Sequence, residues 1–203
     1  MNDELPARAV VDVAFALQGR GLPRDHAQGL QQALCEALPW LASEANAGVH
    51  PIKLVHGLDA VALLSPRSRL LLRLSAQRAP GLRALAGTEL RVQGHALRLG
   101  QAQARALLPH ATLYAYRVAA PNADEAQFVA GVTQELARLG VEGERVCGKR
   151  QEFSVGGTTR YGFSLMLHGL KGAHSLLLQQ HGLGPLRLLG FGIFVPHKSV
   201  AAV

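Results

Sequence analysis

One order of elements, strand–helix–strand–strand–helix–strand, is written twice along this chain of 203 residues. In the first half, ARAVVDVAFAL (7–17) alternates and is rich in Val, the pattern of a strand. GRGLPRD follows as a loop. Asp25 then stands as the N-cap of HAQGLQQALCEALPWL, where Leu30, Leu34, Leu38 and Leu41 recur at helical spacing. GVHPIKLV is a short extended piece interrupted by Pro51. DAVALLS and SRLLLRLS read as two strands of a hairpin joined by Pro66 and Arg67. AQRAPGLRALAG reads as a short helix closed by glycine, and TELRVQGHALRLGQAQARAL as a strand or a bent strand pair.

The second half repeats the order without repeating the sequence. ATLYAYRVAA (111–120) is a strand, and ADEAQFVAGVTQELARLG an amphipathic helix with acids in its first turn. VEGERVCGKRQEFSV and TTRYGFSLMLHGL are strands linked by the turn Gly156–Gly157. KGAHSLLLQQHGLG is a short helix ending in glycine, and RLLGFGIFV the last strand. The order is that of the split βαβ unit, so the expected fold is α+β, with two tandem ferredoxin-like (RRM-like, βαββαβ) domains. The boundary falls near Pro109 and His110, giving domains of residues 1–109 and 110–203, each of ordinary domain size.

At 48% hydrophobic residues the chain has enough apolar material for a packed core, which excludes wholesale disorder. No window approaches 18 consecutive apolar residues, so no membrane-spanning helix and no membrane partner is expected. The start, MNDELPARAVVDVAFALQGR, carries two acids before its apolar run and does not read as a secretory signal. Cys35 and Cys147 stand alone, without a CxxC pair, which fits a reducing cytoplasm better than a disulfide framework. Lys and Arg outnumber Asp and Glu by 21 to 14, a net charge of +7 that favours a polyanionic partner, nucleic acid first. The same excess also fits an ordinary protein of an Arg-preferring genome. Only 5% of residues are aromatic, which argues against a surface built mainly by stacking many bases.

The tail GLGPLRLLGFGIFVPHKS (182–199) sets Gly182, Gly184, Gly190 and Gly192 around Arg187, ahead of His197 and Lys198. Glycine serves where a chain takes positive φ or where another backbone comes close. The loop therefore meets either a phosphate-bearing ligand or the neighbouring strand of its own sheet. It lacks the GxxxxGK[ST] pattern of a nucleotide-triphosphate loop.

Three stretches, LPRDHAQGLQQAL (22–34), GVHPIKL (48–54) and the glycine-rich tail, carry a resemblance to a known family. LLPHATLYAYRV (107–118) and YGFSLMLHGL (161–170) support it more weakly. The chain resembles the CRISPR-associated endoribonucleases that process repeat RNA, the "Cas six" family of the RAMP superfamily, above all its MYXAN-subtype branch. The resemblance implies paired ferredoxin-like domains, metal-free cleavage of repeat RNA and retention of the cut guide RNA. It also implies, as partners, a stem-loop repeat RNA and the other subunits of a type I (Cascade-type) effector complex. No cofactor and no metal is expected. An alternative within the same superfamily is a non-catalytic guide-RNA-binding subunit of an effector complex or of a CRISPR-associated transposon. A metal-dependent hydrolase is disfavoured, because HExxH and HxH motifs are lacking.

Metal-free cleavage needs a base for the 2′-hydroxyl, an acid for the leaving 5′-oxygen and cations for the phosphate. Histidine suits the proton transfers, with an unperturbed pKa of about 6.5. His26 is the first candidate: it opens the first helix, whose N-terminal N–H groups favour phosphate and whose dipole favours a neutral ring. His50 is its rival or its acid–base partner, with Pro51 fixing the chain and Lys53 placed to stabilise phosphate charge. His56, His95, His110, His168, His174, His181 and His197 read as surface or structural residues. For RNA binding, Arg67, Arg69 and Arg73 surround the first hairpin, and Arg145, Lys149, Arg150 and Arg160 the second. With the resemblance, Gly182, Gly184, Gly190 and Gly192 become an RNA-contacting loop, with Arg187 and Lys198 beside it.

Overall fold

The structure, a computed structural model, describes residues 10–55 and 61–198; His56 and residues 59–60 of the expected DAVALLS strand lie outside them. The chain divides into two compact units between Ala106 and Leu107.

The first unit runs β1 (Val10–Gln18), β2 (Gly21–Pro23), α1 (Ala27–Ala37), β3 (Gly48–Val49), β4 (Val61–Leu63), β5 (Arg69–Ser75), β6 (Glu89–Val92) and β7 (His95–Ala106). Its main sheet has the order β3-β5-β1-β7-β6, with every neighbour antiparallel. Val11, Val13 and Phe15 of β1 and Leu70, Leu72 and Leu74 of β5 are fully buried, the period-two signature of one core-facing side. A 3-10 helix, Ala79–Leu85, stands where the second helix was expected. The last segment is a strand pair turned at Gln93 and Gly94, both with positive φ. α1 stops at Ala37 because Leu38 precedes Pro39 and leaves the helical region (φ −135°, ψ 79°), after which a 3-10 helix continues to Ser43.

The expected hairpin of DAVALLS with SRLLLRLS does not form. β4 pairs instead with β2 in a separate two-stranded sheet, while β5 pairs with β1 and β3. The alternating leucines of β5 bury more apolar surface in the five-stranded sheet than a two-stranded hairpin offers.

The second unit runs β8 (Leu113–Ala120), α2 (Glu125–Leu139), β9 (Glu144–Val155), β10 (Thr158–His168), α3 (Gly172–His181) and β11 (Val195–Pro196). Its antiparallel sheet has the order β11-β8-β10-β9. Asp124 caps α2 by accepting from the backbone N–H groups of Ala126 and Gln127, and Gly140 ends the helix in the left-handed region. Phe128, Val132 and Leu136, one per turn, join Leu113, Phe163, Leu165 and Leu178 in the core, with the Phe128 and Phe163 rings stacked at 4.7 Å. Gly156 and Gly157, at φ 57° and 77°, make the tight turn of the β9–β10 hairpin. Opposite Ser164 of β10, both β8 and β9 carry one extra residue, so the sheet bends there from both sides.

The last strand is far shorter than RLLGFGIFV predicted. Arg187–Leu189 form a 3-10 turn, and only Val195 and Pro196 pair with β8. Leu186, Gly190 and Gly192 all have positive φ, which no strand accommodates.

Candidate active site and nucleic-acid interface

His26, not Asp25, occupies the N-cap position of α1 (φ −85°, ψ −6°), and no side chain caps the helix. No acid stands in the first turn of α1. His26 Nδ1 lies 2.8 Å from the Pro23 carbonyl. A carbonyl only accepts, so Nδ1 carries the proton and the lone pair of the neutral ring is on Nε2. Burial pushes the His26 imidazole below the ordinary histidine range, against the opposing effects of the Pro23 and Arg24 backbone and of Asp25. The neutral ring thus has its accepting nitrogen defined by its own chain.

The segment that presents Pro23 is held by the small sheet, where Gly21, Leu22 and Pro23 pair with Leu63, Ala62 and Val61. Gly21 is required there: a Cβ would collide with the Ala62 carbonyl oxygen. Val55 is bridged to Leu63 in turn, which places the Lys53 segment one strand beyond. Lys53 is exposed, and its carbonyl accepts from Ser68 Oγ at 2.7 Å. From the other side, Gln93 in the β6–β7 turn donates to the Asp25 carbonyl at 3.3 Å. Gln93 packs so close to Gly29 that a Cβ there would come within 2.6 Å of Gln93 Cγ. Sequence reasoning missed Gln93, Gly29, and the exposed cations Arg20 and Arg24. The arginines were legible as charges flanking His26, whereas the Gln93 contact spans more than sixty residues and leaves no local trace.

His50 is not a surface residue beside His26. It is 7% exposed, with Nε2 3.1 Å from Asp12 Oδ1. Arg73, the cross-strand partner of Asp12, is 1% exposed and donates to both Asp12 oxygens, at 2.8 and 2.9 Å. Burial pushes the Asp12 carboxyl up, but the hydrogen bonds from Arg73 and His50 outweigh it and hold the group well below the usual carboxylate range. Two assignments are thereby corrected. The structure sets His50 and Arg73 together with Asp12 in a buried ionic cluster, not on an exposed surface. Arg69 is half-buried and donates to the carbonyls of Pro66 and Ser68 in its own turn, whereas Arg67 is exposed.

In the second unit, Arg145, Lys149, Arg150 and Arg160 are exposed along the β9–β10 hairpin, and Lys198 is exposed after β11. The glycine-rich loop behaves otherwise than expected. The N–H groups of Gly182, Gly190 and Gly192 donate to the carbonyls of Leu178, Arg187 and Arg117, and that of Gly184 to Glu135. Gly182, Gly190 and Gly192 are buried, and their backbone packs against the protein's own. Arg187 donates to the His181 and Gln180 carbonyls, closing the C-terminal end of α3. A Cβ on Gly192 would overlap the Leu183 carbonyl, and φ there is +63°. Gly192→Ala should therefore lower stability by about 3 kcal/mol. Thermal unfolding checks this, and a melt indistinguishable from the wild type refutes it.

Among the described residues, no three of His, Cys, Asp and Glu converge as a metal site would, and no helix is long and apolar enough to cross a membrane.

Comparison with known proteins places this geometry in a family. Residues 11–199 match the family described as Cas6 Crispr. A CRISPR-associated endonuclease Cas6 of Myxococcus xanthus (strain DK1622) is 36% identical over 194 residues, covering 95% of this chain and 84% of the relative. A solved CRISPR-associated protein Cas6 superposes with a TM-score of 0.67 at 12% identity, covering 93% of this chain and all of the other. Thermus thermophilus Cse3, bound to an RNA representing a pre-cleavage complex, superposes with a TM-score of 0.54 at 16% identity, covering 92% and 98%. The two solved structures share the mixed α+β fold. A family match that begins in β1 and runs past β11, together with a relative identical at more than a third of its positions, makes this chain a member of the Cas6 family.

Proposed function

We propose that this protein is the endoribonuclease that cuts CRISPR repeat RNA, and that it does so without a metal ion. The observation that carries the reading is the His26 ring, neutral and with Nδ1–H held by the Pro23 carbonyl at the N-terminus of α1. Nε2 takes the proton of the 2′-hydroxyl upstream of the scissile phosphate. O2′ then bonds to phosphorus as the P–O5′ bond breaks, leaving a 2′,3′-cyclic phosphate. O5′ takes a proton from Lys53 or from solvent and departs as a 5′-hydroxyl. Lys53, Arg20 and Arg24 supply positive charge in the first unit, and the first-turn N–H groups of α1 suit a phosphate oxygen.

Both units are read as ferredoxin-like repeats. Supporting that reading, the second unit runs β8-α2-β9-β10-α3-β11 with sheet order β11-β8-β10-β9, while the first has the extra strands β2, β4 and β6 and a 3-10 helix in the place of its second helix. Arg145, Lys149, Arg150 and Arg160 lie on a hairpin that suits the phosphates of an RNA stem, with Arg67 and Lys198 as further exposed cations. The protein works in the cytoplasm and keeps its product within a type I effector complex.

Repeat RNA incubated with the protein in excess EDTA tests the chemistry. Cleavage is expected to persist in chelator and to vanish when the 2′-hydroxyl upstream of the cut is replaced by hydrogen. Loss of cleavage in chelator, or cleavage of the deoxy substrate, overturns the mechanism. Tight binding with no cleavage under any condition makes the chain a guide-RNA-holding subunit instead.

A further inference from the structure

The second unit holds a cleft of about 470 Å³ that the proposed chemistry does not use. Its walls are Pro121 after β8, Phe153 and Val155 of β9, Arg160 and Tyr161 of β10, and Leu186 of the glycine-rich loop. The size lies within the roughly 300–1,000 Å³ of small-ligand sites, and the lining is apolar apart from Arg160 and the Tyr161 hydroxyl.

Two walls are fixed in advance. Leu186 is in the left-handed region (φ 68°, ψ 29°), one of only two non-glycine residues there among those described. A leucine held so costs about 1–2 kcal/mol, and such strain collects where a ligand is met. It is maintained by the bonds from the Leu189 and Phe191 N–H groups to the Leu186 carbonyl, and by Glu135 accepting from Gly184 two residues earlier. Phe153 is backed by the Phe191 ring at 4.3 Å and by the Arg117 guanidinium at 5.1 Å. Arg117 is itself fixed by Gln151, which accepts from its Nε at 2.9 Å and donates to the Tyr116 carbonyl at 2.9 Å.

The cleft is thus a rigid apolar slot with an aromatic wall and a cation at its edge. Arg160 is the cross-strand partner of Phe153, and Arg150 and Lys149 follow on the same hairpin. An apolar peptide would leave the cations unused, whereas a flat ring carrying a phosphate uses both features. We propose that this cleft receives one unpaired nucleobase of the bound RNA, with Arg160 on the adjoining phosphate. This rests on the RNA-processing reading above and adds to it a point where the RNA is held single-stranded.

The test is a binding titration of the repeat RNA and of copies each lacking one base. Wild type, Val155→Trp (which fills the slot) and Arg160→Ala are compared in the presence of EDTA. In the wild type, removing the base at one unpaired position should weaken binding about tenfold or more. In Val155→Trp the intact RNA should bind correspondingly less well, and removing the same base should change nothing further, because the two losses are one interaction. Arg160→Ala, at an exposed position, should shrink the penalty at that same position, and it decides the matter if the tryptophan variant does not fold. Equal penalties at every position in all three proteins overturn the proposal. Wild type that binds the repeat no better than a shuffled RNA of equal length overturns the RNA reading itself, an outcome distinct from failure of the cleft.

Discussion

His26→Ala is expected to slow repeat cleavage by about 10²–10⁴-fold while leaving RNA binding in place. The expectation follows from the tautomer. With Nδ1–H donated to the Pro23 carbonyl, the ring loses no time in the wrong form, and Nε2 is the nitrogen that the proposed mechanism uses for the 2′-hydroxyl proton. The pH profile carries a second signature. Because burial disfavours the imidazolium, the His26 pKa is lowered, so the neutral base is already populated below the ordinary histidine range. The single-turnover rate should therefore rise with pH and level off at a pH below about 6.5. His26→Ala should lack that limb. A profile that climbs through neutrality, or a variant that cuts at the wild-type rate, removes His26 from the chemistry.

Asp12→Ala should destabilise the first unit by about 3–5 kcal/mol, because it strands the Arg73 charge in a site that is 1% exposed. Replacing Asp12 and Arg73 together by apolar residues should recover much of the loss, since the cost lies in the orphaned charge more than in the missing bond. The acid dependence follows from the direction of the shift. The Asp12 pKa is depressed in the folded protein, so its contribution is fully present above the unfolded value of about 3.9 and is lost as pH falls toward the folded value. Urea unfolding between neutral and acid pH checks both points: the wild type should lose stability with acid more steeply than Asp12→Ala. A variant within about 1 kcal/mol of wild type at neutral pH would show that the cluster is not the buried ion network described.

Local patterns were legible where the stabilising contacts are local. The α2 boundaries lie at Asp124 and Gly140 because an N-cap acid and a C-terminal glycine act within a few residues of themselves. The Gly156–Gly157 turn was legible for the same reason. Pairing partners were not. Nothing in DAVALLS says that Val61–Leu63 will pair with a loop forty residues earlier, and it is that pairing which positions Pro23 behind His26. Charge reading failed at Arg73 because it treats cations as solvated. The available signal was an acid in a Val-rich strand and a cation in a Leu-rich one, two groups that settle side by side once β1 and β5 align. The glycine-rich tail was legible as special, and of the two readings it allowed, close approach of protein backbone is the one the hydrogen bonds support. Resemblance supplied the family, and the structure then showed the two histidines in different surroundings, His26 at the start of α1 and His50 in the buried cluster with Asp12.

The ring of His26 hangs from a two-stranded annex of three residues per strand, outside the five-stranded sheet that carries the core of its unit. Two-stranded pairings are marginal by themselves and open well before a large sheet does. On the proposed mechanism, cutting and folding are thus held by different parts of the molecule. On warming, the annex should fray first, releasing the imidazole from its carbonyl while both main sheets remain paired. Such a protein would stop cutting before it melts and recover fully on cooling, still grasping its RNA throughout.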